Sequence, residues 1–173
     1  MKISKALLSD IPDICKIVNH AYRGEEAKKG WTYESDLIEG DKRTSEMDLF
    51  SLISKEGATI LVAKNEFETI VGTVFLEVKE SNLYMGMLSV EPVLQGKGMG
   101  KMLVLNAIEI GKLKGLKNIQ IQVVNLRYEL IAWYEKLGFI LSGKKFPFQV
   151  PVEFGKPKVP IHFIEMYYPL IVG

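Results

Sequence analysis

The run Gln95-Gly96-Lys97-Gly98-Met99-Gly100-Lys101 combines alternating glycines with two lysines, a composition suited to holding an anion. Glycine lets backbone N–H groups approach a charged oxygen with no Cβ in the way. A helix beginning beside them aims its unsatisfied donors and the positive end of its dipole at the same point. Lys97 and Lys101 add positive charge there. The run lies between a strand-like Met87-Leu88-Ser89-Val90 and a helix-like Met102 to Leu116, and reads as a pyrophosphate cradle. Two better-known phosphate loops fail on spacing. A P-loop needs glycine where Gln95 stands, and Ser or Thr where Met102 stands to hold Mg²⁺. A dinucleotide fingerprint starting at Gly96 wants glycine at Lys101 and belongs in the first βα unit of its domain, whereas this run lies past mid-chain.

Composition limits the partners. A chain of 173 residues fits one domain, 1–173, with room for a substantial core. Lys+Arg 22 against Asp+Glu 21 leaves a net charge of +1, so there is no global attraction to nucleic acid or to an anionic membrane, and neither is expected as a partner. Any anion site must be local. The first ten residues lack the sustained apolar stretch of a signal peptide and no segment reaches membrane-spanning length, so a cytoplasmic location is expected. Cys15 is the one cysteine, which excludes an intramolecular disulfide and a Cys-based zinc site. Beside Ile14, Ile17 and Val18 it reads as a core thiol. His20 and His162 have no metal-like partners nearby in sequence, and no metal is expected.

The elements that must position the cradle follow from periodicity and turn residues. Lys2 to Leu7 suits a strand; Ser9 or Asp10 then caps a helix to about Tyr22, with Ile11, Ile14, Ile17, Val18 and Ala21 on one face. Gly24 to Arg43 is polar and irregular, with a short helix-compatible run at Tyr33 to Ile38, and Thr44 or Ser45 caps a helix through Ile53. Ala58 to Lys64 and Thr69 to Lys79 form a hairpin pattern across Asn65-Glu66-Phe67-Glu68, which Asn82 to Val90 extends to three adjacent antiparallel strands. After the glycines, Met99, Leu103, Ala107 and Ile110 keep helical spacing until Gly115. Asn118 to Val124 alternates, with Ile119, Ile121 and Val123 opposite Asn118, Gln120 and Gln122, as a half-exposed strand does. Arg127 to Leu137 is a second amphipathic helix stopped by Gly138. Phe139 to Gly143 opens a further strand, Pro147, Pro151, Pro157 and Pro160 break the chain into a long loop, and His162 to Pro169 resumes an aromatic strand. This order describes a mixed α+β domain around one sheet.

The Gln-x-x-Gly-x-Gly order of Gln95 to Gly100 resembles the signature of the GNAT superfamily of acyl-CoA-dependent N-acetyltransferases, and Leu130 to Phe139 looks like that family's helix ending in Tyr-Glu-Lys-x-Gly-Phe. The resemblance implies an α+β (mixed α/β) fold with a central, mostly antiparallel twisted sheet of about seven strands flanked by helices. It implies direct transfer of the acetyl group of acetyl-CoA, as co-substrate, to a primary amine of a small-molecule or peptide acceptor. Two other readings remain open: a non-catalytic acyl-CoA-binding or sensory module, and an acyltransferase using another acyl-CoA. By the same resemblance Gln95, Gly96, Lys97, Gly98, Met99, Gly100 and Lys101 bind the coenzyme pyrophosphate, and Leu88, Ser89 and Val90 form the strand that splays from its neighbour and offers backbone groups to the pantetheine arm. The Leu88 N–H would polarise the thioester carbonyl. Tyr134 takes the place of the tyrosine that gives a proton to the departing thiolate; a phenol of pKa about 10 and a thiol of about 8.5 are close enough for that.

One position departs from the pattern. The asparagine expected seven residues before this tyrosine is Arg127, and Asn125 lies two residues earlier as an alternative cofactor contact. Glu77 is the first candidate for the base that neutralises the amine, against a plain ion pair with Lys79 or Lys64; Glu165 and Asp36 are further candidates. The stretch Gly30-Trp31-Thr32-Tyr33-Glu34 resembles the first connector of a group of GNAT-like proteins, a segment that borders the acceptor pocket. There Trp31 could form an apolar wall, Glu34 and Asp36 could attract an amine, and Arg43 could hold a carboxylate, unless Arg43 simply pairs with Glu34. Phe146, Phe148 and Phe154 of the proline-rich loop could close the other side. An edge strand at Phe163 to Ile171 would allow a homodimer.

Overall fold

The computed structural model describes residues 1–23 and 33–171. In chain order the elements are β1 (Lys2–Lys5), α1 (Ile11–Tyr22), β2 (Ile38–Glu39), α2 (Glu46–Ile53), β3 (Ala58–Lys64), β4 (Ile70–Lys79), β5 (Asn82–Val90), α3 (Met99–Leu113), β6 (Asn118–Val124), α4 (Tyr128–Leu137), β7 (Ile140–Pro147), β8 (Lys156–Pro157) and β9 (His162–Pro169). Seven strands form one sheet in the order β1-β3-β4-β5-β6-β9-β7, and β2 pairs with β8 separately. Every neighbouring pair in the large sheet is antiparallel except β5 and β6.

Side chains in a strand alternate between faces, and both faces of this sheet are covered. In β3 and β4, Leu61, Ala63, Val74 and Leu76 join a core that includes Leu103, Val104, Ala107 and Ile108 of α3 and Leu130 and Tyr134 of α4. Ile60, Val62 and Phe75 turn the other way, onto Ile14, Ile17, Val18 and Ala21 of α1 and Leu49 of α2. The apolar spacing of α1 thus buries the face anticipated for it. Ser45 caps α2, its Oγ accepting the Asp48 N–H at 3.0 Å. Gly138, with φ of +107°, ends α4 in the left-handed conformation that glycine adopts without a Cβ penalty.

The differences from expectation have local causes. Tyr33 to Ile38 makes a single turn, with the Leu37 and Ile38 N–H groups both reaching the Glu34 carbonyl at 2.9 Å, before Ile38 and Glu39 enter the ladder with β8. One turn is too short to offset helix nucleation. The helix after the glycines begins at Met99, not Met102, so Gly98 itself is the N-cap. The strand after Gly138 runs on to Pro147, absorbing Lys145 and Phe146 through a register shift at Gly143, whose φ is +86°. The aromatic strand β9 lies between β6 and β7 with both edges paired. It therefore has no free edge for a second chain, which corrects the dimer expectation at Phe163 to Ile171.

Candidate active site

The parallel contact between β5 and β6 is short. It pairs Asn82, Leu83 and Tyr84 with Asn118, Ile119 and Gln120 and then stops. Beyond that point the strands diverge, and a cavity of about 300 Å³ opens between Met85 to Leu88 on one side and Ile121 to Val124 on the other. Tyr22, Tyr84, Leu130 and Tyr134 complete its inner wall; Phe148, Phe154 and Phe163 line the side formed by the proline-rich loop and β9.

A bulge in β5 shapes the wall. Thr73 of β4 pairs with Ser89 and Phe75 pairs with Gly86, so Met87 and Leu88 together face only Val74. Met87 adopts a φ of +50°, left-handed and unfavourable for a side chain by on the order of 1 kcal/mol. Two hydrogen bonds hold this conformation in place. The Tyr22 hydroxyl, at the end of α1, donates to the Leu88 carbonyl at 2.7 Å, and the Ser89 hydroxyl donates to the Met87 carbonyl at 3.0 Å. Burial pushes the Tyr22 phenol up to about 12, so it stays a donor at neutral pH.

Beyond β5 the glycine run turns into α3. The Gln95 amide donates to the Val90 carbonyl at 3.0 Å and ties the loop to the strand end. Gly96 and Gly98 both have φ of +83°, and a Cβ on either would project into open space, the space an approaching anion needs. Gly100 is different: it is helical and buried in the first turn of α3. Lys97 and Lys101 are exposed beside it. The run therefore fits an anionic group on two independent counts, conformation and clearance.

Tyr134 is buried, with its ring edge-on to Trp133 at 5.0 Å and to Phe139 at 5.2 Å. Its phenol lines the cavity, and burial drives its pKa far above the ordinary phenol value, with Tyr22 and Tyr84 adding to the rise. Tyr22, Tyr84 and Tyr134 thus converge on one space.

The remaining candidates divide. Asn125 does not reach the cavity wall; its backbone N–H bonds the His162 carbonyl at 2.9 Å and its Oδ1 accepts the His162 N–H at 3.0 Å, locking β6 to β9. Glu34 borders the cavity, but both carboxylate oxygens are engaged: Oε2 with Arg23 and Oε1 with Arg127, each at 3.1 Å. This corrects both earlier options for Glu34, a free amine-attracting carboxylate and a partner of Arg43. Arg43 instead lies over the Tyr22 ring, 5.8 Å from its centre, lining the cavity with no carboxylate partner among the described residues. Asp36 is exposed and Glu165 is buried on β9 opposite Gln122; neither is part of the wall. Phe146 pairs with Phe163 and stays outside the wall that Phe148 and Phe154 form. Trp31 lies outside the described residues.

Glu77 is also outside the wall, with Lys55 Nζ at 3.7 Å and Lys79 Nζ at 3.8 Å. Its placement is that of an ion pair, with Lys79 as anticipated and Lys55 in place of Lys64, which turns to Asp10 instead. Glu77→Gln is expected to keep turnover within about twofold, since a general base removed from the cavity would cost at least about a hundredfold. Steady-state rates of coenzyme A release check this.

Tyr84 and Asp48 are cavity residues that sequence reading did not single out, and Tyr22 and Arg23 stood out only as members of a connector dense in aromatic and charged groups. Nothing in a local pattern marks a strand tyrosine, an arginine or an N-terminal helix aspartate as inward-facing.

The sequence matches the model of the Acetyltransferase (GNAT) family over residues 13–139. The chain belongs to the GNAT family. This GNAT protein is 30% identical over 127 residues to N-acetyltransferase 8B of Homo sapiens, covering 69% of its own length and 54% of that protein's. It thus spans about half the length of that relative. Its fold is similar to smu.2055 from Streptococcus mutans UA159, with a TM-score of 0.75 at 22% identity over 99% of this chain and 100% of that one. It is similar also to a GNAT superfamily phosphinothricin acetyltransferase from Sinorhizobium meliloti in complex with AcCoA, with a TM-score of 0.70 at 19% identity over 97% of this chain and 87% of that one.

Proposed function

We propose that this GNAT protein transfers the acetyl group of acetyl-CoA directly to a primary amine. The observation that carries the reading is the gap between β5 and β6, with the Tyr134 phenol on its wall and the glycine cradle following the end of β5. When bound, the coenzyme supplies a thioester whose carbonyl carbon accepts the amine and whose sulfur leaves as thiolate. Gln95, Gly96, Lys97, Gly98, Met99, Gly100 and Lys101 would hold its pyrophosphate through backbone N–H groups and two cationic side chains. Leu88, Ser89 and Val90, on the β5 edge that β6 leaves unpaired, would offer backbone groups to the pantetheine arm, with the Leu88 N–H polarising the carbonyl. Asn125 is left out of this set because His162 engages it.

Tyr134 donates its phenolic proton to the departing sulfur as the new N–C bond forms and the C–S bond breaks. A phenol whose pKa is raised gives up a proton reluctantly, so donation is coupled to the proton that the amine sheds. Among the described residues, Asp48 is the one carboxylate on the cavity wall not fully committed; Thr44 Oγ1 donates to its Oδ2 at 2.8 Å. We assign to Asp48, directly or through water, the role first given to Glu77.

Gly98→Glu tests the cradle. A side chain at φ +83° is strained, and its charge would stand where the pyrophosphate sits. Acetyl-CoA affinity, measured by calorimetry, should weaken by at least about tenfold; unchanged affinity would remove the cradle from the site. Mass spectrometry of a pooled amine library incubated with acetyl-CoA tests the reaction itself. Coenzyme binding and slow hydrolysis with no acetylated amine would instead identify an acyl-CoA-binding module, and stronger competition by a longer acyl-CoA would change the acyl donor.

A further inference from the structure

The charges that face the cavity come in two kinds. Arg23 and Glu34 belong to a buried cluster with Arg127, which is not itself on the wall; the two guanidinium groups share one carboxylate, their side chains are no more than 10% exposed, and Arg23 also donates to the Lys42 and Phe154 carbonyls at 2.9 and 2.8 Å. Arg23 and Glu34 form wall, with both Glu34 oxygens engaged and Arg23 Nε buried without a hydrogen-bond partner among the described residues. Arg43 and Asp48 are different. They flank Thr44 and both line the cavity, yet no ion pair joins them. Arg43 stands on the Tyr22 ring and also acts on the Tyr84 phenol, which brings its charge to the tyrosines that converge with Tyr134. The wall also has an apolar part, to which Phe148, Phe154 and Phe163 contribute.

Resting on the acetyl-transfer reading, we propose that the acceptor is a free α-amino acid with an apolar side chain, its carboxylate held by Arg43. A guanidinium binds a carboxylate through two parallel N–H···O bonds, which fixes direction as well as position. Asp48 supplies the opposite charge for the ammonium and takes its proton. The phenylalanines receive the side chain. The reaction balances as zwitterionic amino acid plus acetyl-CoA giving N-acetyl amino acid carboxylate, coenzyme A and one proton: the N–C bond forms, the C–S bond breaks, and the ammonium loses two protons, one passed through Asp48 to solvent and one matched by the proton the sulfur gains. Polyamines and lysine-rich peptides fit poorly, because Arg43 repels a second positive charge and Glu34 is fully engaged. A decarboxylated amine leaves the Arg43 guanidinium without its partner.

The test compares L-leucine with isoamylamine, L-phenylalanine with phenethylamine, and both with spermidine, by initial rates of coenzyme A release and mass spectrometry of products. The wild type should favour each amino acid over its decarboxylated amine by on the order of a hundredfold in kcat/KM. Arg43→Gln should bring that ratio to within about threefold of one, and Arg43→Lys should restore part of it. Acetyl-CoA affinity and circular dichroism report whether Arg43→Gln has folded; should it misfold, the wild-type ratios decide alone. The proposal is overturned if isoamylamine, phenethylamine or spermidine is acetylated as well as the amino acids, or if Arg43→Gln keeps the preference. Acetylation of spermidine would leave the acetyl-transfer reading standing, whereas absence of both acetyl-CoA binding and any acetylated product would sink the two together.

Discussion

Tyr134→Phe should lower turnover by on the order of a hundredfold while changing acetyl-CoA affinity by no more than about twofold. The ring is the structural part of the side chain: it meets Trp133 and Phe139 edge-on within the core shared with α3. Phenylalanine keeps those contacts. The hydroxyl faces the cavity, where burial holds it protonated through the working pH range, ready to donate and with little tendency to ionise first. Removing it takes away an interaction that matters only while the C–S bond breaks, so the loss falls on kcat. Steady-state kinetics with calorimetric binding separates the two quantities. Wild-type turnover in this variant would reduce Tyr134 to a packing residue.

Glu34→Ala should destabilise the fold by about 3–5 kcal/mol, read from urea denaturation. The size follows from burial. The Glu34 side chain is 10% exposed, and its partners Arg23 and Arg127 are 2% and 7% exposed. An exposed ion pair is worth about 0–1 kcal/mol, but removing the shared carboxylate here strands two guanidinium groups away from water. Arg23 would keep its bonds to the Lys42 and Phe154 carbonyls, which limits rearrangement and so keeps the uncompensated charge buried. For a chain of this size such a loss lowers Tm by roughly 10 °C or more. A change below about 1 kcal/mol would show that the cluster relaxes to solvent and does not wall the cavity. The triad also joins the first connector, α4 and the proline-rich loop, so acceptor binding should weaken in whatever fraction remains folded.

The contrast between these residues marks how far local pattern reaches. The glycine run was legible because Gly96 and Gly98 answer a backbone demand, positive φ beside a helix start, that is met within a few residues. Gly138 and the apolar faces of α1 and α4 were legible for the same reason, since their spacing and caps are set by neighbours within a turn or two. Tyr134 came with its helix. The reading of Arg127 as a departure from the family pattern was also available from the chain, but not its consequence.

Other features depended on distance in sequence. Glu34 and Arg127 are 93 residues apart, and either looks like a solvated loop charge until the other is placed beside it. Asn125 looked available until β9 brought His162 against it, and Glu77 looked catalytic until Lys55 and Lys79 closed around it. The position of β9 inside the sheet follows from strand order, which one strand's alternation does not encode. The gap itself was expected only through the family resemblance, which makes Leu88 to Val90 a strand that splays from its neighbour; the brief parallel pairing of β5 and β6 shows where they part. The sequence alone thus determined most of the elements, the glycine turn that opens α3 and the family resemblance, because these rest on local periodicity and backbone conformation. Tertiary structure alone decided which charges are spent on one another and which, Arg43 and Asp48, line the cavity with no ion-pair partner among the described residues, because burial and pairing exist only between segments that the fold brings together.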